Sequence, residues 1–238
     1  HHSDVDYVGP IRSGRPTDPD LVAITGGPLA RSGAPGWVQS SFNRKGVNTI
    51  GEGQPQMFRM RHRQAPHNLY GDTTEMREYS DGRGWDDEAP AAPLFVWGAW
   101  AGGEAAPEVT FDWSDRPEVV WKYQGGRYLR FNGANAHTWT NRERDVTEQI
   151  ETDTLVVIEA PRYSACPPGG SGSCVPAMDT VGEGQAWVFH GGEVVEGTWS
   201  RGAIDVPFSL RATDGSTLEV PAGRLWINVF PAGRSIDW

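Results

Sequence analysis

The sequence predicts an α+β fold rich in β-structure, in which a mixed α/β first domain precedes a mainly antiparallel β-sandwich or barrel-like second domain. Two observations point to the β-rich second half. They are a Gly-Gly pair at positions 191 and 192 between two apolar runs, and a series of short strand-like runs from residue 108 onward. A third observation, two helix-start signals near residues 17 and 72, places helices in the first half. We expect residues 1–104 to form the first domain and residues 105–238 the second.

Residues 182–201 are predicted to form a hairpin that is central to the second domain. A two-residue Gly-Gly loop suits a type I′ or II′ turn, because both positions tolerate a positive φ. Such a turn pairs residue 190 with 193, 189 with 194 and 188 with 195. Both faces are then apolar, so we expect the hairpin to be covered on both sides and not to form a sheet edge. One face carries Trp187, Phe189 and Val194, and the other carries Ala186, Val188, Val195 and Trp199.

The first half alternates between turns and short regular elements. Residues 5–16 begin like a strand and end in a turn, and residues 17–19 resemble a helix start with a proline in the first turn. Residues 21–29 fit a short helix or a strand, and weak strand patterns occur at residues 37–38 and 47–50. Residues 72–75 resemble a capping box, which predicts a helix as far as about residue 80.

Further strand signals follow one another in the second half, separated by turn residues such as Asp214-Gly215 and Ala222-Gly223. Short strands at this spacing are typical of a sandwich or a barrel-like domain. Tryptophans within these runs, Trp121 and Trp226 among them, are expected in the core, the alternative being that they stack on sugar rings. Besides the hairpin, the predicted strands cover residues 109–113, 119–123, 128–132, 154–159, 208–212, 216–220 and 225–230.

Charge and hydropathy exclude several classes of function. The chain has 238 residues, with 21 Lys and Arg against 31 Asp and Glu, and a formal net charge of −10. General affinity for nucleic acid or for an anionic membrane is therefore not expected. No apolar run reaches the roughly 18 residues of a membrane-spanning helix.

The two cysteines, Cys166 and Cys174, flank a loop rich in Gly, Ser and Pro. Such a loop has high conformational entropy when unfolded, so a bridge across it would stabilise the chain by roughly 2.5 kcal/mol. We interpret the pair as a disulfide, which is typical of an oxidising compartment. The alternative is two free thiols. No metal or cofactor site is predicted, because two sulfurs with no nearby histidine make half of a zinc site.

A group of basic and polar residues in the first half is the best candidate for a binding site. Residues 57–63 alternate at a period of two, which predicts a strand with Arg59, Arg61 and Arg63 on one face and Phe58, Met60 and His62 on the other. Arginine forks bind carboxylate or phosphate, and Asn and Tyr add oriented hydrogen bonds. In the alternative interpretation the arginines pair with acids such as Asp4, Asp6, Asp18 and Asp20 and fix loops. The predicted site for an anionic ligand consists of Arg12, Arg15, Arg61, His67, Asn68 and Tyr70.

His67 is also a candidate for a catalytic acid or base. No Gly-x-Ser-x-Gly nucleophile motif occurs in the chain. We therefore favour a non-enzymatic binding protein for an anionic or glycan ligand. The alternative is a hydrolase of a cell-envelope polymer in which His67 is the acid–base.

Four segments of the chain resemble those of one known family. The run Val8-Gly9-Pro10-Ile11-Arg12-Ser13-Gly14-Arg15-Pro16 and the run Pro66-His67-Asn68-Leu69-Tyr70 resemble two first-domain segments of the YerB-like bacterial lipoproteins. Residues 182–201 and 221–226 resemble two C-terminal segments of the same family. The resemblance follows the same order along essentially the whole chain.

This resemblance implies a two-domain extracytoplasmic protein, secreted or lipid-anchored at the cell envelope, of uncharacterised role. Family members carry a lipobox signal and further first-domain sequence ahead of the segment that matches Val8, and this chain has neither. The first domain is therefore expected to be incomplete at its N-terminus, or to be completed by another segment or a partner chain.

Overall fold

The computed structural model describes residues 7–61, 63–65, 67–85, 92–113, 118–141 and 146–238, except for the side chains of residues 139–141 and 146. The described helices are α1 (Asp18–Thr25), α2 (Gly36–Arg44) and α3 (Thr73–Asp81). In chain order, the described strands are β1 (Tyr7–Val8), β2 (Leu29–Arg31), β3 (Thr49–Gly51), β4 (Met57–Arg59), β5 (Leu69–Asp72), β6 (Glu104–Ala105), β7 (Glu108–Phe111), β8 (Val119–Gln124), β9 (Arg127–Asn132), β10 (Asn135–Ala136), β11 (Thr138–Asn141), β12 (Val146–Gln149), β13 (Glu151–Thr152), β14 (Thr154–Ala160), β15 (Arg162–Ala165), β16 (Val175–Met178), β17 (Gly182–His190), β18 (Glu193–Arg201), β19 (Ser209–Ala212), β20 (Leu225–Pro231) and β21 (Ile236–Asp237).

The chain divides into two compact units. The first contains residues up to Ala92 together with Tyr163–Ala177, and the second contains Pro93–Arg162 and Met178–Trp238. The domain boundary between residues 104 and 105 stays a prediction.

The first unit is built on a three-stranded sheet of order β1-β5-β4. Its core is a small apolar cluster that includes Ile11, Leu69 and Met76. Helix α3 begins where it was predicted, because the carboxylate of Asp72 accepts a hydrogen bond of 2.9 Å from the backbone N–H of Glu75.

Two predictions in the first half are wrong. Residues 37–38 lie in helix α2 and not in a strand, because Val38 and Phe42, four residues apart, are both buried on one side of that helix. The strand predicted over residues 57–63 ends at Arg59. Beyond it the chain turns, with the N–H of Arg63 donating to the carbonyl of Met60, so Arg61 and Arg63 do not continue a strand face. His62 lies outside the described residues.

The predicted disulfide between Cys166 and Cys174 is present and lies in the first unit. It closes the loop between β15 and β16, which pair as a two-stranded sheet. Val175, next to the bridge, packs on Val38 and Phe42 of α2. A segment that is distant in sequence is thereby fixed to the core of the first unit.

The second unit is a sandwich of two six-stranded sheets. One sheet has the order β10-β9-β8-β7-β21 with β13 beside β9, and the other has the order β19-β18-β17-β14-β20 with β6 beside β18. The apolar side chains of the two sheets meet in one cluster, to which the first sheet contributes Phe111 and Trp121 and the second Leu155 and Phe189. The predicted β-rich α+β class is confirmed, and the described strands form open sheets and no closed barrel.

The hairpin β17–β18 has the predicted register. Phe189 pairs with Val194, and Val188 with Val195. The turn glycines Gly191 and Gly192 have φ of 65° and 82°, as a type I′ turn requires. The two strands are interior to their sheet, which confirms the prediction that the hairpin is central.

The other strand predictions of the second half hold, with one exception. Residues 216–220 form isolated bridges, Arg211 with Thr217 and Trp97 with Val220, and no continuous strand. The side chain of Trp121 is fully buried, as expected for a core residue, and that of Trp97 is 44% exposed.

Candidate functional site

Arg12 lies on a segment that is fixed on both sides by backbone hydrogen bonds. The N–H of Ile11 donates to the carbonyl of Leu69 at 2.8 Å, and the carbonyl of Arg12 accepts from the N–H of Ser32 at 2.9 Å. Ile11 is buried, and Arg12, the next residue, is exposed. The guanidinium of Arg12 is therefore presented at the surface from a rigid backbone.

The side chains of Arg12 and His67 are in contact, although 55 residues separate them. NH1 of Arg12 lies 2.5 Å from Nδ1 of His67. A guanidinium can only donate, so Nδ1 of His67 is the acceptor in this contact. The imidazole is then neutral, with its hydrogen on Nε2. The pair therefore carries one positive charge at the surface, and no described residue accepts a hydrogen bond from the Nε2–H of His67.

Asn68 belongs to a second, charge-neutral arrangement beside this pair. Its Oδ1 accepts from NH1 of Arg59 at 2.5 Å, and the Nε of Arg59 donates to Glu52 at 2.8 Å. The charge of Arg59 is thus balanced by Glu52, and the amide oxygen of Asn68 is occupied.

Arg61 and Arg63 lie in the turn between β4 and β5 and are exposed. Within the described part of the chain, neither forms an ion pair with a carboxylate. The guanidinium carbon of Arg63 lies 5.9 Å from the centroid of the Tyr70 ring. Tyr70 itself is buried, and its ring packs so closely on Gly9 that a Cβ there would lie 2.6 Å from Cδ1 of Tyr70.

Arg15 lies just before the N-terminus of helix α1 and forms a hydrogen bond there, apart from Arg12 and His67. Its backbone N–H donates to the carboxylate of Asp18 at 2.6 Å. Burial raises the pKa of Asp18, and this hydrogen bond together with the charge of Arg15 works in the opposite direction. No described contact joins Arg15 to Arg12 or His67. The structure thus brings together Arg12 and His67 and places Asn68 beside them.

The alternative interpretation, in which acids balance the arginines, holds for some of them. Glu52 balances Arg59, and Asp18 contacts Arg15, whereas Asp20 pairs with Lys45. Asp4 and Asp6 lie outside the described residues. Arg12 has no carboxylate partner within residues 7–61, 63–65 and 67–85.

His67 has no contact that favours the hydrolase alternative. Its described partner is Arg12, and none of the described residues supplies a carboxylate or a hydroxyl within hydrogen-bond distance of its ring. A base of the kind used in nucleophilic catalysis needs such an orienting acceptor and a nearby nucleophile. Among the described residues, no group of three or more His, Cys, Asp or Glu could hold a metal ion.

Sequence reasoning missed a second polar group, around Arg130 in the second unit. NH1 of Arg130 contacts Nδ1 of His137 and donates to Oδ1 of Asn132 at 3.0 Å. One signal was available, because Tyr128, Arg130 and Asn132 alternate along β9 and therefore share one face.

In the described residues, no helix is long and apolar enough to cross a membrane.

Comparison with known proteins gives the same result for both halves of the chain. A crystal structure of the YerB protein from Bacillus subtilis matches 98% of this chain and 78% of its own, with a TM-score of 0.78 and 18% sequence identity. At that identity the likeness concerns the fold. Among curated proteins none has significant sequence similarity to the chain. Residues 1–86 match the N-terminal domain, and residues 108–227 the C-terminal domain, of the protein family of unknown function DUF3048. The chain therefore belongs to the DUF3048 family, as the YerB-like segments of its sequence predicted.

Proposed function

We propose that the chain is a non-enzymatic binding protein whose first unit holds an anionic ligand, a phosphate-bearing polymer or an acidic glycan, at Arg12, Arg61 and His67. The observation that carries the proposal is the contact between Arg12 and His67. In this contact the guanidinium of Arg12 donates to an uncharged nitrogen, and none of the described carboxylates pairs with it. Arg15, Asn68 and Tyr70, which the sequence pattern also suggested, then support the site by fixing the segments that carry these three side chains.

The charge balance of the chain supports this proposal. Acids outnumber Lys and Arg by 31 to 21, so an exposed arginine has many possible partners. Lys45 forms an ion pair with Asp20, and Arg59 forms one with Glu52. Arg12 and Arg61 have no carboxylate partner among the described residues. The guanidinium of Arg12 and the Nε2–H of His67 together offer several donors to one anion.

The proposal includes an extracytoplasmic location. The bridge between Cys166 and Cys174 supports it, since disulfides persist in oxidising compartments. Polymers with phosphate or carboxylate groups are available to a protein at the cell envelope. The net charge of −10 would repel such polymers from the rest of the surface, so binding would depend on this local basic group.

The test compares binding of three soluble polymers by isothermal titration calorimetry: polyphosphate, the polyuronate alginate, and neutral dextran. Polyphosphate or alginate should bind, and dextran should not. Arg12→Ala should weaken binding roughly ten- to hundredfold, because a hydrogen bond to a charged group contributes about 1.5–3 kcal/mol.

Arg44→Ala is the matched control, because Arg44 is an exposed arginine at the end of α2 in the same unit. It makes the same change in net charge and should leave binding within about twofold, a difference of roughly 0.4 kcal/mol. Equal losses in the two variants would show that only overall charge matters. Binding of dextran as tight as that of the anionic polymers would refute an anion site.

A further inference from the structure

The second unit contains an arginine whose guanidinium is held against two tryptophans. Arg130 on β9 pairs in register with Trp121 on β8, and its guanidinium carbon lies 5.8 Å from the centroid of that ring. The same carbon lies 5.5 Å from the ring of Trp226 on β20, in the opposing sheet. The two indole rings pack edge to face at 5.2 Å. The guanidinium is thus fixed by cation–π contacts where the two sheets meet.

Both described polar partners of this guanidinium are neutral. NH1 of Arg130 donates to Oδ1 of Asn132 at 3.0 Å and to Nδ1 of His137. His137 must then be the neutral acceptor, as His67 is in the first unit. Within the described residues, no carboxylate lies within ion-pair distance of Arg130. The positive charge is therefore partly removed from water without being balanced, and this burial lowers the pKa of Arg130.

Among the residues that the structure describes, several donors of the same group have no acceptor. They are the Nε of Arg130, the indole N–H of Trp121 and the Nδ2 of Asn228, all shielded from solvent. Asn228 joins the group through its Oδ1, which accepts from the indole N–H of Trp226 at 3.1 Å. Unpartnered buried donors are rare in folded proteins and call for an acceptor such as a water molecule or an ion.

Another arginine of the same unit shows what a purely structural role looks like. Arg201 is 2% exposed, and its Nε donates to the carbonyl of Val206 at 2.7 Å. Its NH1 donates to Oγ1 of Thr180 at 3.1 Å, and its NH2 to the carbonyl of Ile204. There the guanidinium fixes a loop through oxygen acceptors of the chain itself. Around Arg130, by contrast, the Nε has no acceptor among the described residues.

We propose that the group formed by Arg130, Trp121, Trp226, Asn228 and His137 is a binding site for an oxyanion, the carboxylate or phosphate group of a small ligand. The site offers N–H donors and one unbalanced positive charge, and an oxygen anion supplies both the acceptors and the missing negative charge. Arg130 is half-buried and not fully enclosed, so part of its side chain remains accessible from solvent. The site is independent of the function proposed for the first unit.

The test follows the indole N–H resonances of the full-length chain in ¹H–¹⁵N NMR spectra. Sodium phosphate and sodium acetate are titrated separately against sodium chloride at constant ionic strength, and Trp121→Phe and Trp226→Phe assign the two relevant resonances. A saturable shift of either resonance with phosphate or acetate is expected. The salt that saturates identifies the ligand group as phosphate or carboxylate. A shift that grows linearly with both salts, or equally with chloride, overturns the proposal.

Three variants complete the experiment. Arg130→Gln should weaken binding of the oxyanion at least tenfold. Asn228→Asp should weaken it as much, because it replaces an N–H donor with a competing carboxylate. Arg127→Gln, on the same strand, is the control and should bind like the wild type, because Arg127 is already balanced by Glu151. If Arg130→Gln does not fold, Asn228→Asp decides. Unchanged affinity in a folded Asn228→Asp chain overturns the proposal.

Discussion

Replacing Val188 by aspartate tests the architecture of the second unit. Val188 is fully buried in the centre of the hairpin and pairs with Val156 and Val195 on its two neighbouring strands. Loss of the buried side chain costs about 1.5–3 kcal/mol, and an unpartnered polar group in its place costs about 1–3 kcal/mol more. The expected loss of roughly 2.5–6 kcal/mol is a large part of a typical stability of about 5–15 kcal/mol.

The expected change in melting temperature follows from this loss. For a chain of this length 1 kcal/mol corresponds to about 2–4 °C, so Val188→Asp should lower the Tm by roughly 5–24 °C. Burial raises the pKa of the introduced carboxyl above its unfolded value of about 3.9. A raised pKa in the folded state favours folding most below the unfolded value, and this contribution is lost as the pH rises. The Tm of the variant should therefore lie further below that of the wild type at pH 8 than at pH 4.

Circular dichroism melts of the variant and of a control measure this effect. Thr198→Asp is the control, because Thr198 lies on the same hairpin and is exposed. Its Tm should stay within about 2 °C of the wild type, since surface substitutions cost within about 0.5 kcal/mol. A Tm of Val188→Asp that matches the control would mean that this face of the hairpin is not covered.

Two further predictions concern the disulfide and pH. Reduction of the bridge between Cys166 and Cys174 should cost about 2.5 kcal/mol, seen as a lower Tm with reductant. Alkylation of both thiols in native, non-reducing conditions, read by mass spectrometry, would refute the bridge. Burial, and next the charge of Arg130, lower the pKa of His137, so its contribution to stability is complete above about pH 6.5 and declines as the pH falls towards the folded pKa. Thermal melts at a series of pH values should show that the Tm falls more steeply below pH 6.5 in the wild type than in His137→Gln. Identical slopes of Tm against pH in the two proteins would contradict this.

Elements with a local physical cause were predictable from the sequence. The hairpin register follows from two adjacent glycines that accept positive φ and from the alternation of apolar side chains beside them. Helix α3 follows from the cap that Asp72 provides, and the disulfide from two cysteines in one short loop. Each of these features depends on residues within about ten positions of one another, so no tertiary contact was needed to anticipate it.

Local patterns were misleading where a tertiary contact outweighs them. Trp37 and Val38 resemble a strand, but Val38 and Phe42 form one buried helical face against Val175, which only the returning disulfide segment brings there. The alternation from residue 57 to 63 continues past the point at which the pairing of β4 with β5 ends. A period of two predicts a strand only as long as a neighbouring strand accepts its hydrogen bonds.

The sequence by itself determined the family, the β-rich class and the two arginine-bearing segments of the first half. Only the tertiary structure decided which of their side chains meet. The contact of Arg12 with His67 depends on how a segment near the start of the chain is hydrogen-bonded to β5. The group around Arg130 depends on the packing of one sheet on the other, which brings Trp226 over a strand almost one hundred residues away. Contacts across such separations arise from packing of the whole unit, so spacing along the chain carries no direct record of them.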